Sequence, residues 1–266
     1  IADELGPFKV IHVYEPRVGL KGTLVVDNVA RGPSVGGIRM AEDVTTAECA
    51  RLARAMTFKN AAADLPHGGG KAVIYADPKM PLDRKEQIMR AFARSLEEVE
   101  QYVYAPDMGT DEECMAWIKD EVDRVVALPR EVGGIPLDEI GATGFGLSHV
   151  VDVAQEFCNC PTQGARIAVQ GFGAVGKHVT RFLVDNGAIP VAVSDSMGTM
   201  HNPDGLDVAE LIALKAAGKS VIEYSDGERL DQDAIVDIEC DIWIPAARPD
   251  VVHEDNVNRL NTRLVV

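Results

Sequence analysis

Two short stretches near the start of the chain, residues 8–14 (Phe-Lys-Val-Ile-His-Val-Tyr) and 23–29 (Thr-Leu-Val-Val-Asp-Asn-Val), are rich in β-branched and aromatic residues. Pro16 and Gly19 punctuate the gap, so the pair predicts a β-hairpin. The run Gly32-Pro-Ser-Val-Gly-Gly-Ile-Arg39 reads as a loop. Thr45 and Glu48 have capping-box spacing and open a helix to about Lys59. Within it Leu52, Met56 and Lys59 recur at i, i+4, i+7, which puts Lys59 on the apolar face. Residues 72–75 (Ala-Val-Ile-Tyr) predict a short buried strand. Asp83 and Glu86 open a second helix with Ile88, Phe92, Leu96, Val99 and Val103 on one stripe. A loop at 104–110 follows. Thr110 and Glu113 then open a third helix with Met115, Ile118, Val122 and Val125 inward. The stretch Leu128-Pro-Arg-Glu-Val-Gly-Gly-Ile-Pro136 breaks every period and is the expected linker.

The second half is more regular. A helix is expected from 141 to about Cys158, strand 165–170, a glycine turn, helix 174–186, strand 189–194, helix 206–217, and strands 241–244 and 263–266. Alternating strands and helices predict a parallel, doubly wound sheet. The domains are expected at 1–130 and 131–266.

Gly171-Phe-Gly-Ala-Val-Gly176 fits G-x-G-x-x-G with a strand before it and a helix after it, the setting a dinucleotide fingerprint requires. Gly171 allows the tight turn, Gly173 lets a pyrophosphate approach, and Gly176 lets helix and strand pack. Phe172, Ala174 and Val175 complete the turn, and the helix N-terminus faces the phosphates. Asp195 ends the next strand, where a carboxylate accepts ribose hydroxyls and repels a 2′-phosphate, so NAD is favoured over NADP. The rival reading is a structural glycine turn in some other α/β protein.

Composition narrows the partners. Of 266 residues 46% are hydrophobic, enough for a substantial core. The 42 acidic and 26 basic residues give a net charge of -16, which excludes a nucleic acid or an anionic membrane as the expected partner. Five cysteines without a C-x-x-C pair suit a reducing cytoplasm, and no metal spacing is visible. No apolar run reaches the length of a membrane span. The last residues, Arg263-Leu-Val-Val266, read as a buried strand, so further chain is expected beyond them.

Lys59 in Met-Thr-Phe-Lys-Asn-Ala and Lys71 after three glycines stand in apolar settings, where a cation is costly unless an anion visits. Glycines 68–70 would let a substrate reach the backbone. A dinucleotide that takes hydride needs a donor carbon, and the Cα of an amino acid supplies one. Such a site needs a cation for the carboxylate, a lysine of lowered pKa and a proton-shuttling carboxylate. Lys59, Lys71 and Asp107 supply those types, with the two ammonium groups expected to depress each other's pKa.

With these pieces the chain resembles the glutamate/leucine/phenylalanine/valine dehydrogenase family. The matching segments are Gly32-Pro-x-x-Gly-Gly-x-Arg39, Met56-Thr-x-Lys-Asn-Ala61, Gly68-Gly-Gly-Lys71, Pro106-Asp-Met-Gly-Thr110, Ala142-Thr-Gly144 and Gly171-Phe-Gly173, in order over nearly the whole chain. The resemblance implies a substrate and oligomerisation domain followed by a Rossmann domain, and a closed homo-oligomer, hexamer or octamer. It implies that Lys59 binds the substrate carboxylate, Lys71 activates water and Asp107 exchanges protons with the amine. Gly36 and Gly37 would offer backbone to the substrate, and Thr143 and Ala246 would line the cofactor side.

Departures from the pattern also count. Glutamate-specific members carry a lysine where Val35 stands, and members for branched or aromatic side chains carry an apolar residue, so Val35 favours a leucine- or valine-like substrate. Met197-Gly-Thr-Met-His-Asn-Pro-Asp-Gly-Leu-Asp207 instead looks like glutamate dehydrogenases. Ala174 stands where many members have an asparagine on the cofactor. The expected function is reversible, NAD-dependent oxidative deamination of an amino acid to a 2-oxo acid and ammonia. The rivals are a regulatory subunit without turnover and another two-domain dehydrogenase that uses a site lysine.

Overall fold

A computed structural model describes residues 2–247 and 250–266. The chain forms two compact units, Ile1–Pro136 and Leu137–Val266.

The first unit is a five-stranded sheet with helices on both faces. Its elements are β1 (Lys9–Glu15), β2 (Leu20–Asn28), β3 (Ser34–Ala41), α1 (Thr46–Ala62), β4 (Gly68–Tyr75), α2 (Leu82–Ser95), β5 (Tyr102–Pro106) and α3 (Glu112–Lys119), and the strand order is β1-β2-β4-β3-β5. The expected hairpin is β1–β2, antiparallel from Lys9 opposite Val26 to Glu15 opposite Leu20. Side chains alternate between faces along each strand. Leu24, Val26, Ile38, Met40, Ala72 and Ile74 meet Ile88, Phe92 and Met115 of α2 and α3 in one core. Val25 and Val73 meet Cys49 and Ala53 of α1 in the other.

Residues 34–41 are not a loop. They form β3, parallel to both β4 and β5. The glycines that read as turn signals are there because neighbouring backbone crosses closely: a side chain at Gly36 would overlap the Gly70 carbonyl, and one at Gly37 the Pro106 carbonyl. Residues 104–106 likewise belong to β5. The α1 cap is half a capping box. Thr45 accepts from the Glu48 N–H at 3.0 Å, while the Glu48 side chain turns away to Arg39. The cap of α3 is Asp111 rather than Thr110, and α2 starts after Pro81 without a side-chain cap.

The second unit holds α4 (Leu137–Ile140), α5 (Ala142–Cys158), β6 (Arg166–Gln170), α6 (Ala174–Asp185), β7 (Ile189–Asp195), β8 (Gly198–His201), α7 (Val208–Ala216), β9 (Glu228–Leu230), β10 (Ile242–Pro245) and β11 (Leu264–Val265). The sheet order is β11-β10-β6-β7-β8-β9. The first four strands are parallel, the doubly wound arrangement, and β8 and β9 extend the edge as an antiparallel pair. Neither of those two short strands was legible. Val151, Val179, Leu183 and Leu211 of the helices cover one face. The other is covered by Ile235 and Val236 in a 3-10 turn, with Trp243 fully buried between. Among the described residues no helix is long and apolar enough to cross a membrane.

Candidate active site

The face of the first sheet that meets α1 carries a compact charged cluster. Lys71 lies in β4 with Gly69 and Val73 on the same face, and Val35, Gly37 and Arg39 share that face of β3. Asp107 follows β5. Its loop is tied to β3 through Thr110, whose hydroxyl accepts from the Asp107 N–H at 3.0 Å and lies 2.8 Å from the Ile38 carbonyl. Lys71 Nζ and Arg39 Nε both sit 2.9 Å from Asp107 Oδ2. Asp107 Oδ1 has no hydrogen-bond partner among the described residues. Arg39 Nη1 donates to Glu48 Oε1 at 2.5 Å, so the four charges alternate in sign.

The cluster is largely withdrawn from water. The Lys71, Arg39 and Asp107 side chains are 8%, 10% and 22% exposed. Burial pushes the Asp107 carboxyl up, but the Lys71 and Arg39 cations outweigh it and hold it below its ordinary range. Below Lys71, the Cys49 thiol donates to the Lys71 carbonyl at 3.2 Å, and burial pushes that thiol up to about 12. Tyr102 is fully buried, which pushes its pKa well above the usual range and keeps its hydroxyl as a donor to the Gly36 carbonyl at 2.6 Å. Arg39, Glu48 and Tyr102 were not singled out from the sequence as site residues. Arg39 is visible only once 34–41 is read as a strand, since it then alternates onto the face of Val35 and Gly37.

Lys59 stands apart from this pair. It is exposed on α1, and its ammonium has no partner among the described residues. The buried positions of that helix are Cys49, Ala53 and Asn60, a different stripe from Leu52-Met56-Lys59, so the expectation of an apolar setting is corrected. The neighbour of Lys71 is accordingly a carboxylate rather than a second ammonium. The residues around Lys59 are nonetheless anchored beside the cluster: Asn60 Nδ2 donates to the Gly68 carbonyl at 2.7 Å, and a side chain at Gly69 would overlap the Thr57 backbone. That contact also corrects the reading of glycines 68–70. They are buried and allow helix and strands to close on one another, rather than opening a path for substrate. Gly36 and Gly37 are buried in the same way, and Val35 is half-buried. His67 packs against the loop, with Nδ1 3.2 Å from the Pro33 carbonyl.

In the second unit the glycine turn follows β6. Gly171 has φ +93°, and a Cβ there would collide with Ala246 and Ala247 after β10. Gly176 allows α6 to pass over the Gly171 carbonyl. Gly173 faces open space: among the described residues, beyond its own chain neighbours, no atom lies within 4 Å of where a side chain would begin. It is the N-cap of α6 and gives no side-chain cap, so the first N–H groups of the helix remain available. An open glycine beside an uncapped helix start fits the pyrophosphate of a dinucleotide. Ala174 is exposed, Val175 half-buried, and Phe172 points into the core. Thr143 is exposed in the first turn of α5, which packs on α6 where Gly141 and Gly144 meet His178. Asp195 is at the expected strand end, yet its carboxylate already accepts four hydrogen bonds, from Lys215, Ser220, Val221 and Met197. It is not a free acceptor for a ribose, which removes the ground for reading NAD over NADP from that residue alone.

Comparison with known proteins gives two family matches. Residues 9–124 match the profile described as Glu/Leu/Phe/Val dehydrogenase, dimerisation domain, and residues 133–266 match Glutamate/Leucine/Phenylalanine/Valine dehydrogenase. A glutamate dehydrogenase of Aeropyrum pernix is 35% identical over 251 residues, covering 90% of this chain and 60% of that protein. One of Thermotoga maritima is 36% identical over 259 residues, covering 92% and 62%. A solved structure of hetero-hexameric glutamate dehydrogenase from Thermus thermophilus, in a leucine-bound form, superposes with a TM-score of 0.87 at 31% identity, covering 98% of this chain and 66% of that one. The chain thus spans about 60% of the length of the two curated relatives.

Proposed function

The chain belongs to the glutamate/leucine/phenylalanine/valine dehydrogenase family, and from that membership we propose that it catalyses the reversible oxidative deamination of an L-amino acid to a 2-oxo acid and ammonia. The observation that carries the reading is the buried Lys71–Asp107 pair at 2.9 Å. The Gly171–Gly176 turn would hold a nicotinamide dinucleotide, which would supply the hydride acceptor. Asp107 takes a proton from the substrate ammonium, using the oxygen that Lys71 and Arg39 leave free. The amine lone pair then assists departure of hydride from Cα. Lys71 directs a water onto the resulting imine and passes protons to and from Asp107, and the carbinolamine collapses to the oxo acid and ammonia. Lys59 is the proposed partner of the substrate carboxylate: an exposed ammonium on a stretch of helix fixed to Gly68 and Gly69. Gly36 and Gly37, which let β3 close on β4 and the end of β5, are proposed to offer their backbone to the substrate. Thr143 and Ala246 are proposed on the nicotinamide side. Residues up to the 128–136 linker form the substrate domain and those after it the dinucleotide domain.

Glutamate is the substrate best supported by the relatives, both of which are called glutamate dehydrogenase. A second reading rests on Val35, an aliphatic side chain on the face of Lys71, which suits a leucine- or valine-like substrate. Retention of the Lys71–Asp107 pair favours turnover over a purely regulatory subunit. Assembly as a homo-oligomer is proposed from the match to the dimerisation domain. The test is a steady-state panel of glutamate, leucine, valine and phenylalanine with NAD and with NADP. Cofactor reduction with one or more of them is expected, and none with any of them would overturn the proposal.

A further inference from the structure

Asp195 lies directly beside the glycine turn: the Phe172 N–H donates to the Ser194 carbonyl at 2.7 Å and the Gly171 N–H to the Ser194 hydroxyl at 3.2 Å. A carboxylate in this position ordinarily receives ribose hydroxyls and repels a 2′-phosphate. Here its acceptor capacity is already used. Lys215 Nζ at 2.9 Å and the Val221 N–H at 3.0 Å lie on Oδ2, while the Ser220 hydroxyl at 2.8 Å and the Met197 N–H at 3.0 Å lie on Oδ1. A carboxylate offers about four acceptor sites, so a ribose hydroxyl enters only by displacing one of these donors. Exposure then sorts the charges. The Lys215 side chain is 29% exposed and the Asp195 side chain 10%, so of the two partners Lys215 is the more accessible and the carboxylate it neutralises is the more withdrawn.

We propose that Lys215, through its pairing with Asp195, sets which ribose 2′ group the site accepts, and that the site admits a 2′-phosphorylated nicotinamide dinucleotide as well as one with a free 2′-hydroxyl. The inference rests on the dinucleotide reading above. With Lys215 in place the strand end is close to neutral, and a phosphate dianion would share the ammonium that Asp195 holds at 2.9 Å. With Lys215 made neutral, Asp195 faces that dianion as an unpaired charge. At a few ångström in a water-like dielectric the repulsion corresponds to a loss of affinity of roughly tenfold to thirtyfold.

The experiment is calorimetric titration of the purified protein, without amino acid, with NAD and with NADP. The unaltered protein is expected to bind the two within about tenfold of each other. Lys215→Met is expected to weaken NADP by about tenfold or more relative to NAD, while Lys215→Arg keeps the unaltered ratio. Asp195→Asn supplies an independent arm, because removing the carboxylate frees Lys215 and should shift the ratio towards NADP. An unchanged ratio in Lys215→Met overturns the inference. Should that variant fail to fold, an unchanged ratio in Asp195→Asn does the same. Binding of NAD with rejection of NADP by the unaltered protein overturns this inference alone, whereas binding of neither overturns the dinucleotide reading and the inference with it.

Discussion

Replacing Asp107 by asparagine tests the cluster through stability, separately from catalysis. The amide keeps the shape and one acceptor oxygen but removes the charge that Lys71 and Arg39 share at 2.9 Å. Arg39 keeps Glu48 at 2.5 Å, so Lys71 is the cation left without its anion. Breaking a buried ion pair from one side costs about 3–5 kcal/mol. The surviving Glu48 pair and the 22% exposure of Asp107 place this case at or below the lower end, about 2–3 kcal/mol. For a unit of this size that lowers Tm by roughly 6–10 °C at pH 7, measured at fixed protein concentration. The pH dependence gives a second signature. The Asp107 carboxyl is held below its ordinary value of 3.8, so its contribution is complete above that pH and is lost as pH falls through the lower, folded-state value. The amide of the Asp107→Asn variant does not titrate, and the Tm gap between the two proteins should close as pH is lowered below about 4. A variant that melts within a degree of the unaltered protein at pH 7, or a gap that stays constant into acid, would refute the shared-charge argument.

Lys59→Ala removes an exposed ammonium, so unfolding free energy should change by less than about 0.5 kcal/mol, while KM for the amino acid rises by about tenfold or more. A Tm drop of several degrees, or an unchanged KM, would contradict the role given to it. Gly173→Ala and Gly176→Ala should fail in opposite ways. The first adds a methyl to open space, so fold stability holds and cofactor affinity falls; the second forces α6 off the Gly171 carbonyl and should cost about 1–3 kcal/mol or more in denaturation. Equal stability of the two variants would contradict the assignment of the turn.

The dinucleotide turn was legible because each of its glycines has a local job: a positive φ, an open approach and a helix-on-strand contact within six residues. The first sheet was less so. Gly32-Pro-x-x-Gly-Gly carries the residues of a turn, yet most of it becomes a strand because the close approach of β4 and the β5 end excludes side chains there, and those neighbours come dozens of residues later. The same long-range cause underlies Gly68–Gly70, which the sequence alone could assign to substrate access as easily as to packing. Helical period identified α1 but not which of its stripes faces the sheet. Cys49, Ala53 and Asn60 are small or polar, so the apolar Leu52-Met56 stripe misled the placement of Lys59. Asp195 was found where the fingerprint requires it, but the donors that fill it lie up to 26 residues downstream with no spacing to announce them. Lys71 and Asp107 are legible as a site cation and a proton-shuttling carboxylate from their chemistry, and Arg39 is not, because the glycines around it carry the residues of a loop.

The most direct measurement is turnover and cofactor binding together on Lys71→Ala, with the amino acid that gives the highest rate. The account predicts that kcat falls by about two to four orders of magnitude, while the dinucleotide still binds with near-unaltered Kd at the glycine turn of the second unit. Near-normal kcat in that variant would contradict the account.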